Sequence, residues 1–137
     1  MGGYADDFRP EAFDALVEHV TGAPEESSFA ITVQGGAIAR VADDAMAFTG
    51  RDARFEMSAL ADWDDPALDE TYRSWVRQAM AIVQPDAVTG RYVNEVADVG
   101  PEETRAIYGD TKLARLTALK RAWDPDNVFR LNHNIAP

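Results

Sequence analysis

Between Pro10 and Thr21, Phe13, Leu16, Val17 and Val20 fall at offsets of 0, 3, 4 and 7, the recurrence that gathers apolar side chains on one helix face. Pro10 suits a first helical turn, and Gly22, Ala23 and Pro24 stop the segment. The period then changes. Over 28–34, Phe29, Ile31 and Val33 alternate with polar neighbours, and over 54–60 Phe55, Met57 and Ala59 do the same, so both runs predict half-buried strands. Gly35-Gly36 breaks the first as a bulge or tight bend, and 37–41 and 45–48 are expected as short extended pieces around an Asp43-Asp44 turn. Asp65-Pro66 opens the longest expected helix, whose stripe is Leu68, Tyr72, Trp75, Val76, Ala79 and Val83; Asp69 and Glu70 come early and Arg73 and Arg77 later, as the helix dipole favours. Gln84-Pro85 ends it. Residues 90–97 predict a last strand with Tyr92, Asn94 and Val96 on one face. Two helices follow, over about 101–108 and 111–123, the second marked by Leu113, Leu116, Leu119 and Trp123. Asp124-Pro125 leaves an irregular tail whose Val128, Phe129, Leu131 and Ile135 predict that it packs down.

This order of elements favours the α+β class, an antiparallel sheet of about four or five strands covered by helices on one face. At 137 residues the chain fits a single domain over 1–137, and 46% hydrophobic with 27% charged residues excludes disorder. A formal net charge of −11 repels nucleic acid and anionic membranes, so neither is expected as a partner. No apolar run reaches the roughly 18 residues of a membrane span. The start, MGGYADDFRP, lacks the basic and apolar regions of a signal peptide, and a cytoplasmic protein is expected. Only Lys112 and Lys120 are lysines, a usage that fits a GC-rich genome, a salt-adapted cytoplasm or an ordinary acidic surface. With no cysteine, and with His19 and His133 the only histidines, no metal site is expected.

Neither Gly2-Gly3 nor Gly35-Gly36 has the spacing of a phosphate loop, and no serine sits in a nucleophile elbow. His19, beside Glu18 on a surface helix, is expected to be solvated. Polar groups cluster outside the helices at 91–94 and at Asn127, Asn132, His133 and Asn134. On residue type alone, the asparagines cap turns and Tyr92 is an amphipathic core residue. Amides held between apolar tail residues still need partners.

The ordered run Tyr92-Val93-Asn94, Tyr108-Gly109, Arg115-Leu116, Leu119-Lys120, Trp123-Asp124-Pro125, Asn127-Val128-Phe129 and Asn132-His133-Asn134-Ile135-Ala136-Pro137 resembles the C-terminal motif of the berberine bridge enzyme-like FAD-linked oxidases. Gly35-Gly36-Ala37 and Ala47-Phe48 followed by Arg51 resemble the preceding strands of that family's substrate domain. The likeness covers roughly residues 30–137. It implies a sheet backed by helices that forms the substrate side of a flavin site, in enzymes that oxidise alcohols, sugars or secondary metabolites and pass hydride to FAD. It also implies that Tyr92 removes a substrate proton and that Asn94, Asn132 and Asn134 contact the flavin. Arg91 or a flavin edge would stabilise the phenolate.

Three departures stand out. The family's FAD-binding domain, with its pyrophosphate site and the histidine and cysteine of covalent flavin attachment, has no counterpart in these residues. His133 stands where glutamine is usual, and Thr49-Gly50 replaces a proline-histidine pair. The expected partners are therefore a complementary FAD-binding chain, a small-molecule substrate, and a second copy in a homodimer that covers the sheet face around Tyr92, with no flavin held by the chain alone. The competing expectations are a non-catalytic binding or self-association module and a small independent enzyme using Glu56 or Tyr92 as general base; Glu56 is otherwise a solvated strand side chain.

Overall fold

The two alternating runs form strands β2 (Ser27–Val33) and β3 (Phe55–Ala61), paired antiparallel from Ser27 opposite Ala61 to Val33 opposite Phe55. In the computed structural model, which describes residues 1–88, 90–96 and 100–137, a further strand β1 (Gly2–Ala5) lies beside β3, with Gly2 opposite Ser58 and Ala5 opposite Phe55. The other edge of β1 pairs antiparallel with β4 (Ala87–Val88), so the sheet order is β2-β3-β1-β4. Four strands match the expected number. The identity of β1 does not. Gly-Gly-Tyr-Ala has too little β-branched or alternating character to announce a strand, and its extended state is imposed by neighbours on both sides.

Helices α1 (Pro10–Thr21) and α2 (Asp69–Val83) pack on one face of the sheet. Ala5, Leu16, Met57 and Val83 form one part of the core, and Ala59, Trp75 and Ala79 the other. Burying a side chain such as Leu16 or Met57 contributes about 1.5–3 kcal/mol. The stripe of α2 is buried as its spacing predicts at Tyr72, Trp75, Ala79 and Val83. That of α1 is only half used: Leu16 is buried, whereas Phe13 and Val17 are exposed because Ala12 and Leu16 make the close approach. His19 departs from expectation too. It is half-buried, stacks on Trp75 with ring centroids 5.3 Å apart, and its Nε2–H donates to the Trp75 carbonyl at 3.0 Å, since a carbonyl only accepts.

The 37–48 region holds turns in place of the expected extended pieces. Ile38 donates to Gly35 O and Val41 to Ile38 O, and Asp43–Ala45 form a 3₁₀ turn. Among the described residues no strand lies alongside to draw this segment out, and cationic side chains from a helix hold it. That helix, α3 (Pro101–Trp123), is broken at Gly109 (φ 67°, ψ 166°), which gives the two helices expected from the sequence. The tail has no regular structure and packs down only in part, with Ile135 half-buried on the cavity beside α3. Val128, Phe129 and Leu131 are mostly exposed, and so is Trp123 at 85%.

The expected strand over 90–97 is also absent from its described part. Gly90 has φ 102°, Val93–Glu95 form a 3₁₀ turn, and Ala97 lies outside the described residues. Glu95 Cβ comes within 2.8 Å of where a Cβ on Gly2 would stand, so this segment crosses over β1 rather than pairing with it. Since Ala5 faces the helices, alternation turns Tyr4 to the opposite face, where it is fully buried. Its ring lies where Gly50 (φ 76°) passes: a Cβ at Gly50 would stand 2.3 Å from Tyr4 Cε2. Gly36 (φ 54°) has open space around it. Gly50→Ala should therefore destabilise the chain by about 2–4 kcal/mol, and Gly36→Ala by only about 1 kcal/mol for its backbone strain. Chemical denaturation of both variants measures the difference; equal losses would show that Tyr4 does not fill that space.

Candidate active site

Tyr92 stands at the start of the turn over β1, half-buried, with its ring 5.7 Å from that of Phe48. The Asn94 side-chain amide donates to the Tyr92 hydroxyl at 2.8 Å. Ala47, Phe48, Thr49, Tyr92, Val93, Ile107 and Tyr108 line a mostly apolar pocket of about 210 Å³. Arg91, expected to support a phenolate, instead reaches Glu103 at 3.2 Å, which ties the segment to the first turn of α3.

Charged side chains hold the pocket wall, Lys112 and Arg51 from buried positions and Arg115 from the surface. Lys112 Nζ donates to the Phe48 carbonyl and to Asp43 Oδ1, each at 2.8 Å, and Arg115 Nη1 donates to Asp44 O at 2.6 Å. Arg51 is buried, donates to Ile38 O at 3.2 Å and lies 5.0 Å above the Phe48 ring centroid. From the sheet side, Tyr4 Oη–H donates to Thr49 O at 2.9 Å, and Thr49 Oγ1 donates to Arg91 O at 3.3 Å.

Asn132 and Asn134 line a second, larger cavity of about 640 Å³ between the tail and α3, with Thr104, Arg105, Leu113 and Thr117 among its walls. They do not share the Tyr92 pocket. Asn127 (φ 52°) and Asn132 (φ 58°) occupy the left-handed region that asparagine tolerates, so both also shape turns. The two sites are joined by His133, whose Nε2–H donates to Val96 O at 2.8 Å. His133 Nδ1, Asn134 Oδ1 and Asn127 Oδ1 are buried acceptors without a partner.

Glu56 lies opposite Tyr4 in the β1–β3 register and is half-buried, not solvated. Burial pushes its carboxyl up, the charge of Glu95 adds to the effect, and a hydrogen bond from Thr32 partly opposes it. Glu56 Oε1 and Glu95 Oε2 are both buried without partners. Among the described residues, no group of three or more histidines and carboxylates could hold a metal.

The family model described as "Berberine and berberine like" matches residues 91–136, the span that carries Tyr92, Asn94, α3 and the tail. The uncharacterized FAD-linked oxidoreductase YvdP of Bacillus subtilis is 35% identical over 122 residues, which are 89% of this chain and 26% of that protein. This chain belongs to the berberine bridge enzyme-like family of FAD-linked oxidoreductases. It corresponds to the C-terminal portion of that family's fold and spans about a quarter of the length of the curated relatives it matches. The fold agrees. The structure of berberine bridge enzyme from Eschscholzia californica superposes on 99% of the chain and 32% of its own length, with a TM-score of 0.82 at 19% identity. A glycopeptide hexose oxidase complexed with teicoplanin covers all of this chain and 32% of its own, with a TM-score of 0.80 at 23% identity.

Within this family frame, the motif residues were legible but their supports were not. Tyr4 and Glu56 carry no motif, and Lys112 had only its rarity as a signal: both lysines of the chain are largely buried and ion-paired. Among the described residues, no helix is long and apolar enough to cross a membrane.

The folded chain holds the Glu56 proton more tightly than the unfolded chain, which releases it near 4.5. The stability gained is complete below that value and is lost as pH rises through the folded value. Glu56→Gln should remove this slope and raise stability at neutral pH, as measured by urea denaturation between about pH 4 and about pH 7. Parallel wild-type and variant profiles would place Glu56 in solvent.

Proposed function

We propose that this chain is the substrate side of an FAD-dependent oxidase of alcohols, sugars or secondary metabolites, and that Tyr92 accepts the substrate proton. The observation that carries this reading is the Asn94 amide donating to the Tyr92 oxygen at 2.8 Å beside an apolar pocket. A phenolate oxygen only accepts hydrogen bonds, and a side-chain amide aimed at that oxygen is a donor to it. FAD, when bound, supplies the hydride acceptor. The Asn94 amide donates to the Tyr92 oxygen in its phenolate form, which takes the hydroxyl proton of the substrate and becomes the neutral phenol, and Phe48 and Ile107 keep water from the reacting group.

The unpartnered Asn134 Oδ1 fits an N–H on the polar edge of a flavin ring, Asn132 lies on the same cavity wall, and Asn94 Oδ1, on the separate Tyr92 side, would add a further contact. Nothing in the described residues resembles a pyrophosphate site, so we assign the remaining contacts to an FAD-binding chain or segment. The three unpartnered tail acceptors, together with exposed Trp123, Phe129 and Leu131, support such a partner. The proposed setting is a single domain in the cytoplasm.

The same exposed apolar residues favour a second reading, a self-association module without chemistry. In that case light scattering reports a homodimer of twice 15.0 kDa that an FAD-binding partner does not dissociate. The oxidase reading expects the partner to replace any second copy.

With an FAD-binding portion supplied, Tyr92→Phe should lower turnover by about 100-fold while flavin retention stays unchanged. Asn94→Ala should weaken flavin retention as well as turnover. A Tyr92→Phe rate within about threefold of wild type would remove Tyr92 from the chemistry.

A further inference from the structure

We propose that Tyr4 and Thr49 are positioning residues for Tyr92, acting as a two-link relay from the central strand to the peptide group that carries it. This rests on the reading of Tyr92 as proton acceptor. The first link is Tyr4 Oη–H to Thr49 O at 2.9 Å, and the second is Thr49 Oγ1–H to Arg91 O at 3.3 Å. Arg91 O belongs to the peptide bond that enters Tyr92, so the relay fixes the plane from which the phenol projects.

The relay reaches Tyr92 from a second direction. Phe48, next to Thr49 in the chain, sets its ring 5.7 Å from that of Tyr92, and the Phe48 carbonyl is held by Lys112. Both sides of the Tyr92 ring's position therefore depend on where 48–49 sits. Tyr4 decides that position. Its buried ring passes under Gly50 so closely that no side chain fits there, and a Cβ on Gly90, two residues before Tyr92, would stand 3.6 Å from the same ring. Tyr4 is thus the floor on which both the 48–50 loop and the 90–92 segment lie.

Tyr4 itself is unsuited to take a proton. Burial pushes its phenol up to about 12, which keeps the hydroxyl a donor throughout the neutral range. Thr49 supplies what a residue without a hydroxyl could not, a donor to Arg91 O from the same residue whose carbonyl Tyr4 holds.

The test is NMR of the full chain carrying Thr49→Val, Thr49→Ser or Tyr4→Phe, reading NOEs between the Phe48 and Tyr92 rings. Thr49→Val keeps shape and removes the donor, and Tyr4→Phe keeps the ring and removes the other donor. Both should lose these NOEs, whereas Thr49→Ser should retain them. In an assembly with an FAD-binding portion, Thr49→Val should lower kcat about tenfold with KM within about twofold, as expected of a displaced catalytic group, and Thr49→Ser should restore it. NOEs that persist in Thr49→Val overturn the relay, as does their loss in Thr49→Ser. Failure of the base reading looks different: Tyr92→Phe leaves turnover intact while the NOE pattern follows the hydroxyl.

Discussion

A phenol buried on the far side of a small sheet organises this molecule. Tyr4 has no solvent exposure and lies on the face of β1 opposite the α1 and α2 core, where the loop at Gly50 and the segment at Gly90 approach its ring. That ring demands glycine at position 50, receives Gly90, and donates its proton to the Thr49 backbone. The consequence is that two irregular segments, neither held by a strand ladder, share one rigid support. Irregular backbone is ordinarily where stability is lowest and geometry least fixed. Here it carries the residues that match the family's motif.

Cations complete the hold. Lys112, Arg115 and Arg51 each direct a donor to a backbone carbonyl between Ile38 and Phe48. A largely buried lysine is a stringent arrangement, because removing its carboxylate partner leaves the ammonium without a counter-charge and removing its carbonyl partner leaves a donor unsatisfied. In a chain of net charge −11 such cations are few, and the structure uses them internally. The tail receives less. Lys120 and Asp124 pair at its root, and Asp124 accepts from the Val128 and Phe129 amides, but the apolar side chains beyond remain open. These exposed side chains belong to a chain that matches about a third of the length of related structures.

The helices, β2, β3 and the break at Gly109 were legible because each carries its own signal: a period of 3.6 or 2, a proline, or a glycine at the required place. β1 was not legible because its strand state comes from β3 and β4, which are distant in sequence, and no local pattern encodes a borrowed conformation. Residues 90–96 misled in the opposite way. Tyr92, Asn94 and Val96 alternate as a strand would, yet the edge they would join is already paired with Ala87 and Val88. At the site, Tyr92 and Asn94 were identifiable from the motif, and the structure adds that one hydrogen-bonds the other. Asn132 and Asn134 fall into a separate cavity, a division set by how the tail folds back on α3. Spacing in the sequence does not encode that path.

The claim on which the rest depends is that Tyr4 is locked under the 49–50 loop, and ¹³C NMR of tyrosine-labelled chain tests it directly. In the folded protein Tyr4 should keep its proton well past the ordinary phenol value of 10.0 and titrate at about 12, because burial outweighs the hydrogen bond to Thr49. Since the unfolded chain releases that proton earlier, stability should fall as pH rises from the ordinary value toward the folded one. A Tyr4 resonance that titrates near the ordinary phenol value while the helices remain folded would show an accessible ring, and would contradict the account.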